Sequence, residues 1–184
     1  MTFMKTFFAF LIFAFALQSC STTNVMHDYD KTVNFEKYNT YHLFDIDEPV
    51  LSNQDKEIII SQLNDTLQSY GLKEKLIPKF EIIVIPEFYQ VLKNSPSVNV
   101  GFGGASGNFG YGASVPISGQ TKDKFSLTIE FVDALTKSLF WQAVVEVPTS
   151  KLLSDRKENP IVYAQMISDA LKKYPGFYPA LLEE

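Results

Sequence analysis

The chain has 184 residues, 46% apolar and 20% charged, which is the composition of one globular domain with its own core. Its formal charge is −5, and Lys172-Lys173 is too short to make a basic patch, which argues against nucleic acid and against a membrane surface held by charge alone. A single cysteine, Cys20, excludes an intramolecular disulfide.

The first segment reads as an export signal. Lys5 supplies a positive start, and Phe7–Leu17 is an unbroken apolar run followed at once by Leu17-Gln18-Ser19-Cys20. Such a run is too short to cross a hydrocarbon core, which needs about 20 helical residues. A charged start, a short apolar stretch and a small residue before a cut make a cleavable signal. Leu17-Gln18-Ser19-Cys20 resembles the lipobox, in which the Cys thiol takes a diacylglyceryl group with acyl chains such as palmitate. The competing reading is an ordinary secretory signal cut after Ala14-Phe15-Ala16, but that site lies inside the apolar run. The expected organisation is a lipoprotein signal peptide at 1–19, a lipidated Cys20 and tether at 20–24, and a single domain at 25–184. Two or more acyl chains hold firmly where one is marginal. Ser21 follows the Cys, and with no Asp there to retain the protein at the inner membrane, the expectation is outer-membrane anchoring with the domain facing the periplasm.

Along the mature chain, Val25–Val33 and Thr40–Phe44 are expected strands, with a turn at Asn34–Asn39. Ser52–Tyr70 is the first expected helix: Ser52 or Asn53 caps it, Asp55 completes a capping box, and Gly71 takes the left-handed position after its end. Ile59, Ile60, Leu63, Leu67 and Tyr70 form its apolar face, with Gln62, Asp65 and Ser69 opposite. Phe80–Ile85, bracketed by Pro78 and Pro86, reads as a strand buried on both faces. Phe125–Val132 and Leu139–Val147 alternate cleanly and are joined by a hairpin-length turn at Asp133–Ser138. Phe125, Leu127, Ile129 and Phe131 point one way; Trp141, Ala143, Val145 and Val147 share a face. Asp133 and Thr136 organise the turn. A second helix opens at Asn159-Pro160, runs through Tyr163, Met166, Ile167, Ala170 and Leu171, and stops before Pro175-Gly176.

The resulting order is β-β-α-β-(Gly loop)-β-β-α. It implies an α+β fold, with a mostly antiparallel sheet of about five strands and two helices packed on one face. Thr40–Phe44 and Phe80–Ile85, flanking the first helix, suit a parallel pair through a right-handed crossover. Val98–Val115 breaks the pattern, with six of the nine glycines of the chain and Phe102, Phe109 and Tyr111. Glycine allows close backbone approach and the aromatics supply contact area, so this segment reads as an interaction loop, either adhesive toward an envelope protein or resting in the lipid interface. The competing reading is a tolerated insertion.

Tyr29-Asp30, then Phe35, Tyr38, Thr40 and Tyr41, with Tyr70-Gly71-Leu72 closing the first helix, form a recognisable series. It continues through the Gly/aromatic insert, then Asp133, Thr136, Leu139, Trp141 and Ala143 in the hairpin, and Tyr174-Pro175 after the last helix. Together they resemble the domain-of-unknown-function 4136 family of bacterial envelope lipoproteins over Val25–Pro175. That resemblance implies an address and a fold and brings no catalytic residues.

The chemistry of the remaining residues points away from catalysis. His27 and His42 are the only imidazoles and would meet only if their strands paired, giving two ligands without a third; no metal and no cofactor are expected. Gly104-Ala105-Ser106-Gly107-Asn108 misses the G-x-S-x-G pattern at its last position, and no G-K-[ST] follows a glycine run. Asp45, Asp47 and Glu48 read as a solvated turn. The expected function is a membrane-anchored structural or protein-interaction module without enzymatic activity. The alternative is a binding protein or enzyme for a small envelope substrate, using a pocket between sheet and helices.

Overall fold

The computed structural model describes residues 23–92, 121–153 and 159–177. The expected signal peptide, Cys20 and the Gly/aromatic segment with Phe102, Phe109 and Tyr111 lie outside them.

The architecture is α+β, with one mixed sheet of six strands and three helices. The strands are β1 (Asn24–Tyr29), β2 (Thr40–Leu43), β3 (Lys73–Glu74), β4 (Phe80–Leu92), β5 (Thr121–Asp133) and β6 (Leu139–Pro148). Their order across the sheet is β1-β6-β5-β4-β2-β3. β1, β6, β5 and β4 pair antiparallel, whereas β2 runs parallel to both β4 and β3. The parallel pair across the first helix therefore forms. The five expected strands become six because Lys73–Glu74 adds a two-residue edge, held by backbone bonds from Lys73 N to Asn39 O and Lys75 N to Tyr41 O. Asp30 ends β1 earlier than expected: its carboxylate accepts from the Thr32 N–H and hydroxyl, turning the chain.

Helix α1 (Asn53–Ser69) has the predicted ends. The Ser52 hydroxyl accepts from Asp55 N and donates to its carboxylate, and Gly71 sits at φ 86°. Ile59, Leu63 and Leu67 are fully buried, while Tyr70 instead lies outside, stacked on Phe177 at 3.9 Å. Gln62, expected on the solvent side, donates to Pro160 O and bridges the helices. A short helix α2 (Ser150–Leu153), not anticipated, precedes α3 (Asn159–Leu171). Tyr163, Met166, Ile167, Ala170 and Leu171 of α3 are all buried, as the spacing predicts.

Strand register aligns the core in rows. Ile82, Phe131, Trp141 and Tyr29 lie side by side; Val84, Ile129, Ala143 and His27 make the next row. Helices α1 and α3 cover this face. Trp141 is 0% exposed, packed on Phe131 at 4.5 Å and Tyr174 at 5.5 Å, with its Nε1 donating to Lys173 O. It belongs to the core.

Phe80–Ile85 is not buried on both faces, nor does Pro86 end it. Phe80, Ile82 and Val84 are buried against the helices, while Glu81, Ile83 and Ile85 are half-buried on the helix-free side. The strand continues through Pro86 because of where β2 stops. Phe44 N donates to Ile82 O, so even-numbered residues of β4 aim their backbone groups toward β2. β2 ends there, and four residues further on Pro86 faces the same way with no strand beside it among the described residues. A missing N–H is tolerated on such an edge.

Candidate functional site

The ends of the sheet, rather than its interior, carry its most distinctive polar groups and its longest strand extension. β4 and β5 pair without a break from Phe80–Asp133 to Leu92–Thr121. β6 stops at Pro148, opposite Lys124, so the last turns of the β4–β5 ladder form a two-stranded ribbon that projects past the rest of the sheet. The segment holding Phe102, Phe109 and Tyr111 is inserted at the end of this ribbon. β1 begins in the row Asn24–Glu146–Ser126–Glu87, at that same end. Thr23, just before it, donates from its hydroxyl to Asp169 of α3 at 2.7 Å, fixing where the chain enters the domain. The start of β1 and the ribbon thus share one end of the sheet, although the two are far apart in sequence.

A carboxylate braces that end. Glu146 of β6 is buried and accepts from Lys124 Nζ of β5 at 2.6 Å, from the Tyr89 hydroxyl of β4, and from Asn24 Nδ2 of β1 at 3.3 Å. Burial pushes its pKa up, but the bonds from Lys124, Tyr89 and Asn24 outweigh this and hold it below the usual glutamate range. Four strands are tied through one side chain at the base of the ribbon. Four residues along β6, Gln142 donates to Glu130 of β5 at 3.1 Å, and burial raises the Glu130 pKa. Sequence reading missed both groups, since neither Lys124 nor Glu146 is close to its partners along the chain.

At the opposite end, Asp133 organises the β5–β6 turn as expected. Its Oδ1 accepts from Leu135 N and Thr136 N, both at 2.9 Å, and Lys137 adopts φ 57° to close the turn. Thr136 takes part through its backbone N–H. The Asp133 Oδ2 accepts from the Tyr38 hydroxyl at 2.8 Å and from Lys37 Nζ at 3.4 Å, linking the turn to the short 3₁₀ helix at Phe35–Lys37. The Thr136 N–H foremost, with Tyr38, Leu135 and Lys37, holds this carboxyl well below the usual range despite partial burial.

The histidines do not meet. β1 and β2 are separated by β6, β5 and β4, so the strand pairing that would have joined them is absent. His27 lies opposite Ala143 on the helix side, whereas His42 lies on the other face, 4.0 Å from Glu74 and edge-on to Phe44. Among the described residues, no three His, Cys, Asp or Glu side chains converge to hold a metal. Asp45 and Asp47 are exposed and Glu48 half-buried, around the buried Ile46, as in a solvated turn. Between sheet and helices the space is filled by Ile59, Leu63, Leu67, Met166, Ile167 and Ala170, all fully buried. A shallow open groove lies instead on the outer side of the helix pair, lined by Gln54, Glu57, Ser61, Asp65 and Pro160 among others.

The model of the family described as a domain of unknown function (DUF4136) matches residues 25–176, and the chain belongs to that family. No curated relative matches the chain. Among solved structures it is similar to a PDZ domain protein from Parabacteroides distasonis, with 15% identity and a TM-score of 0.48, covering 83% of this chain and 36% of that one. The chain therefore spans about a third of that protein's length. It is also similar to the PelC dodecamer from Paraburkholderia phytofirmans, with 11% identity and a TM-score of 0.48, covering 82% of this chain and 95% of that one.

Proposed function

We propose that the protein is a lipid-anchored envelope module that acts by binding rather than by catalysis. In this reading Met1–Ser19 is removed, Cys20 carries the lipid in the outer membrane, and the domain faces the periplasm. The carrying observation is the shared end of the sheet. The tether that follows Cys20 enters at Asn24, two residues short of the row where the β4–β5 ribbon starts to project, so the aromatic insertion and the lipid leave the domain on the same side. Glu146 stiffens that junction by joining β1 to β4, β5 and β6. The filled space between sheet and helices supports a module of this kind over a carrier or an enzyme with an internal pocket.

The partner in this reading is another envelope protein, met by Phe102, Phe109 and Tyr111. Replacing Gly101–Gly112 with a short Gly-Ser turn tests it, because closing a loop of different length changes the entropy only slightly. Thermal stability should stay nearly unchanged, while recovery of the proteins crosslinked to the lipidated parent should fall. Phe102, Phe109 and Tyr111 changed together to Ser should act likewise. A replaced loop that keeps every crosslinked partner would refute the assignment.

A further inference from the structure

The corner of the sheet diagonally opposite the tether carries large aliphatic side chains with no cover. Leu76 is 93% exposed, Ile77 91% and Leu135 90%. They belong to two neighbouring turns, because Ala134 N donates to Lys79 O at 3.1 Å and brings the β5–β6 turn against the start of β4. The first turn reads Lys73-Glu74-Lys75-Leu76-Ile77-Pro78-Lys79, three lysines against one glutamate. Glu74 lies toward His42, and Lys137 and Lys37 are occupied by Glu81 and Asp133. Lys73, Lys75 and Lys79 are exposed, and among the described residues none has a carboxylate within ion-pair reach.

We propose that this corner, Leu76-Ile77 and Leu135 rimmed by Lys73, Lys75 and Lys79, inserts into the anionic phospholipid surface of the bilayer that holds the lipid anchor. The form of the patch distinguishes a bilayer from a protein. Its apolar groups protrude from turns instead of lining a groove, which suits a fluid surface more than a complementary pocket. Its cations are all lysine, a residue depleted at protein interfaces and able to lay its stem along apolar chains while its ammonium meets phosphate. Adjacent aliphatic and lysine side chains are the combination by which interfacial segments enter the headgroup boundary. The chain as a whole is acidic, so the attraction is confined to this corner.

The geometry allows it. From the row of Ser126 to Asp133 the sheet rises about 24 Å, and the width from β1 to β4 is about 14 Å. The corner thus lies some 25–30 Å from Asn24 by the same spacings. The stretch from Cys20 to Asn24 extends about 14 Å at most. A domain held so closely experiences a high effective concentration of lipid. It reaches the surface with its far corner by lying along the bilayer, with the ribbon alongside. The proposal rests on the lipid-anchored reading for that proximity.

Ile77→Trp provides the probe, since the chain's one tryptophan, Trp141, is fully buried. The lipidated protein is reconstituted in vesicles of brominated phosphatidylcholine with and without phosphatidylglycerol. Flotation reports the anchor, and quenching of the new tryptophan reports the corner. Strong quenching and a blue shift are expected with phosphatidylglycerol and far less without it. Changing Lys73, Lys75 and Lys79 together to Ser should reduce the inserted-to-free ratio about a hundredfold, at about fivefold per lysine. Protein that floats without quenching would overturn the proposal alone and leave a protein as the partner of this corner. Equal quenching on neutral vesicles would remove the role of the lysines and overturn it too. Protein that neither floats nor is quenched would overturn both this proposal and the lipid anchor.

Discussion

Replacing Asp133 offers a graded test of how the β5–β6 turn is held. Four donors converge on its carboxylate: two backbone N–H groups, the Tyr38 hydroxyl and the Lys37 ammonium. In Asp133→Ala the N–H groups of the exposed Leu135 and Thr136 regain water, so each loss is near the usual net of about 1 kcal/mol. Tyr38 is buried and stacked on Phe140 at 3.9 Å, so its hydroxyl is left with less recourse. The sum is about 2–4 kcal/mol, a fall in Tm of roughly 5–12 °C for a domain of this size. Asp133→Asn keeps an oxygen for the two N–H groups but places an amide NH2 where Oδ2 accepts from Tyr38 and Lys37, so it should cost about 1–2 kcal/mol, less than the Ala change. Because the folded-state pKa is depressed, the charge stabilises the fold fully above the unfolded value of about 3.9, and this contribution is lost as pH falls through the depressed folded value. Urea melts followed by circular dichroism should therefore show a parent–Asn gap that is constant from pH 8 to 5 and narrows only in more acid solution. A gap that has closed by pH 5, or an Asn variant as damaged as the Ala variant, would refute this account.

Trp141→Ala should destabilise the domain by about 3–5 kcal/mol, enough to unfold many domains of ordinary stability, and a melt within a degree or two of the parent would contradict its central place. Gly176→Ala should cost about 1–3 kcal/mol. Its Cβ would stand 2.5 Å from the Tyr174 ring, which Phe35, Phe131, Trp141 and Phe177 hold in place; an unchanged Tm would show that the ring gives way. Cys20→Ala should leave an uncut, unlabelled precursor in cells fed a radiolabelled fatty acid, because the chain has no other thiol, and label retained by the variant would end the lipoprotein reading.

Elements whose signals are local were legible in the sequence. Ser52, Asp55 and Gly71 mark both ends of α1 through contacts within a turn, and the alternation of β5 and β6 gives their core faces directly. What depends on strand order was not legible. Pro86 looks like a stop until β2 is seen to end beside it, and the two histidines look available to each other until three strands are found between them. β3 is held by main-chain bonds to β2 and has no pattern of its own. The exposed corner at Leu76 and Ile77 was equally hidden, since leucine and isoleucine in a turn say nothing about whether another turn covers them. The start of β1 and the ribbon share an end only because β1 pairs with β6.

The proline on β4 has a consequence for how the protein avoids associating with its own copies. From Ile83 to Leu92 this strand is paired on one side only among the described residues; Val84 and Pro86 are buried, and from Phe88 onward its exposed residues mark the backbone to which a strand from another molecule could add. Pro86 interrupts that row of donors and Glu87 places a charge beside it. Sheet-to-sheet polymerisation is thereby discouraged at a site where the ribbon must stay long in order to carry its insertion. The residue that made the strand hard to read is the same one that breaks the row of donors leading to the exposed part of this edge.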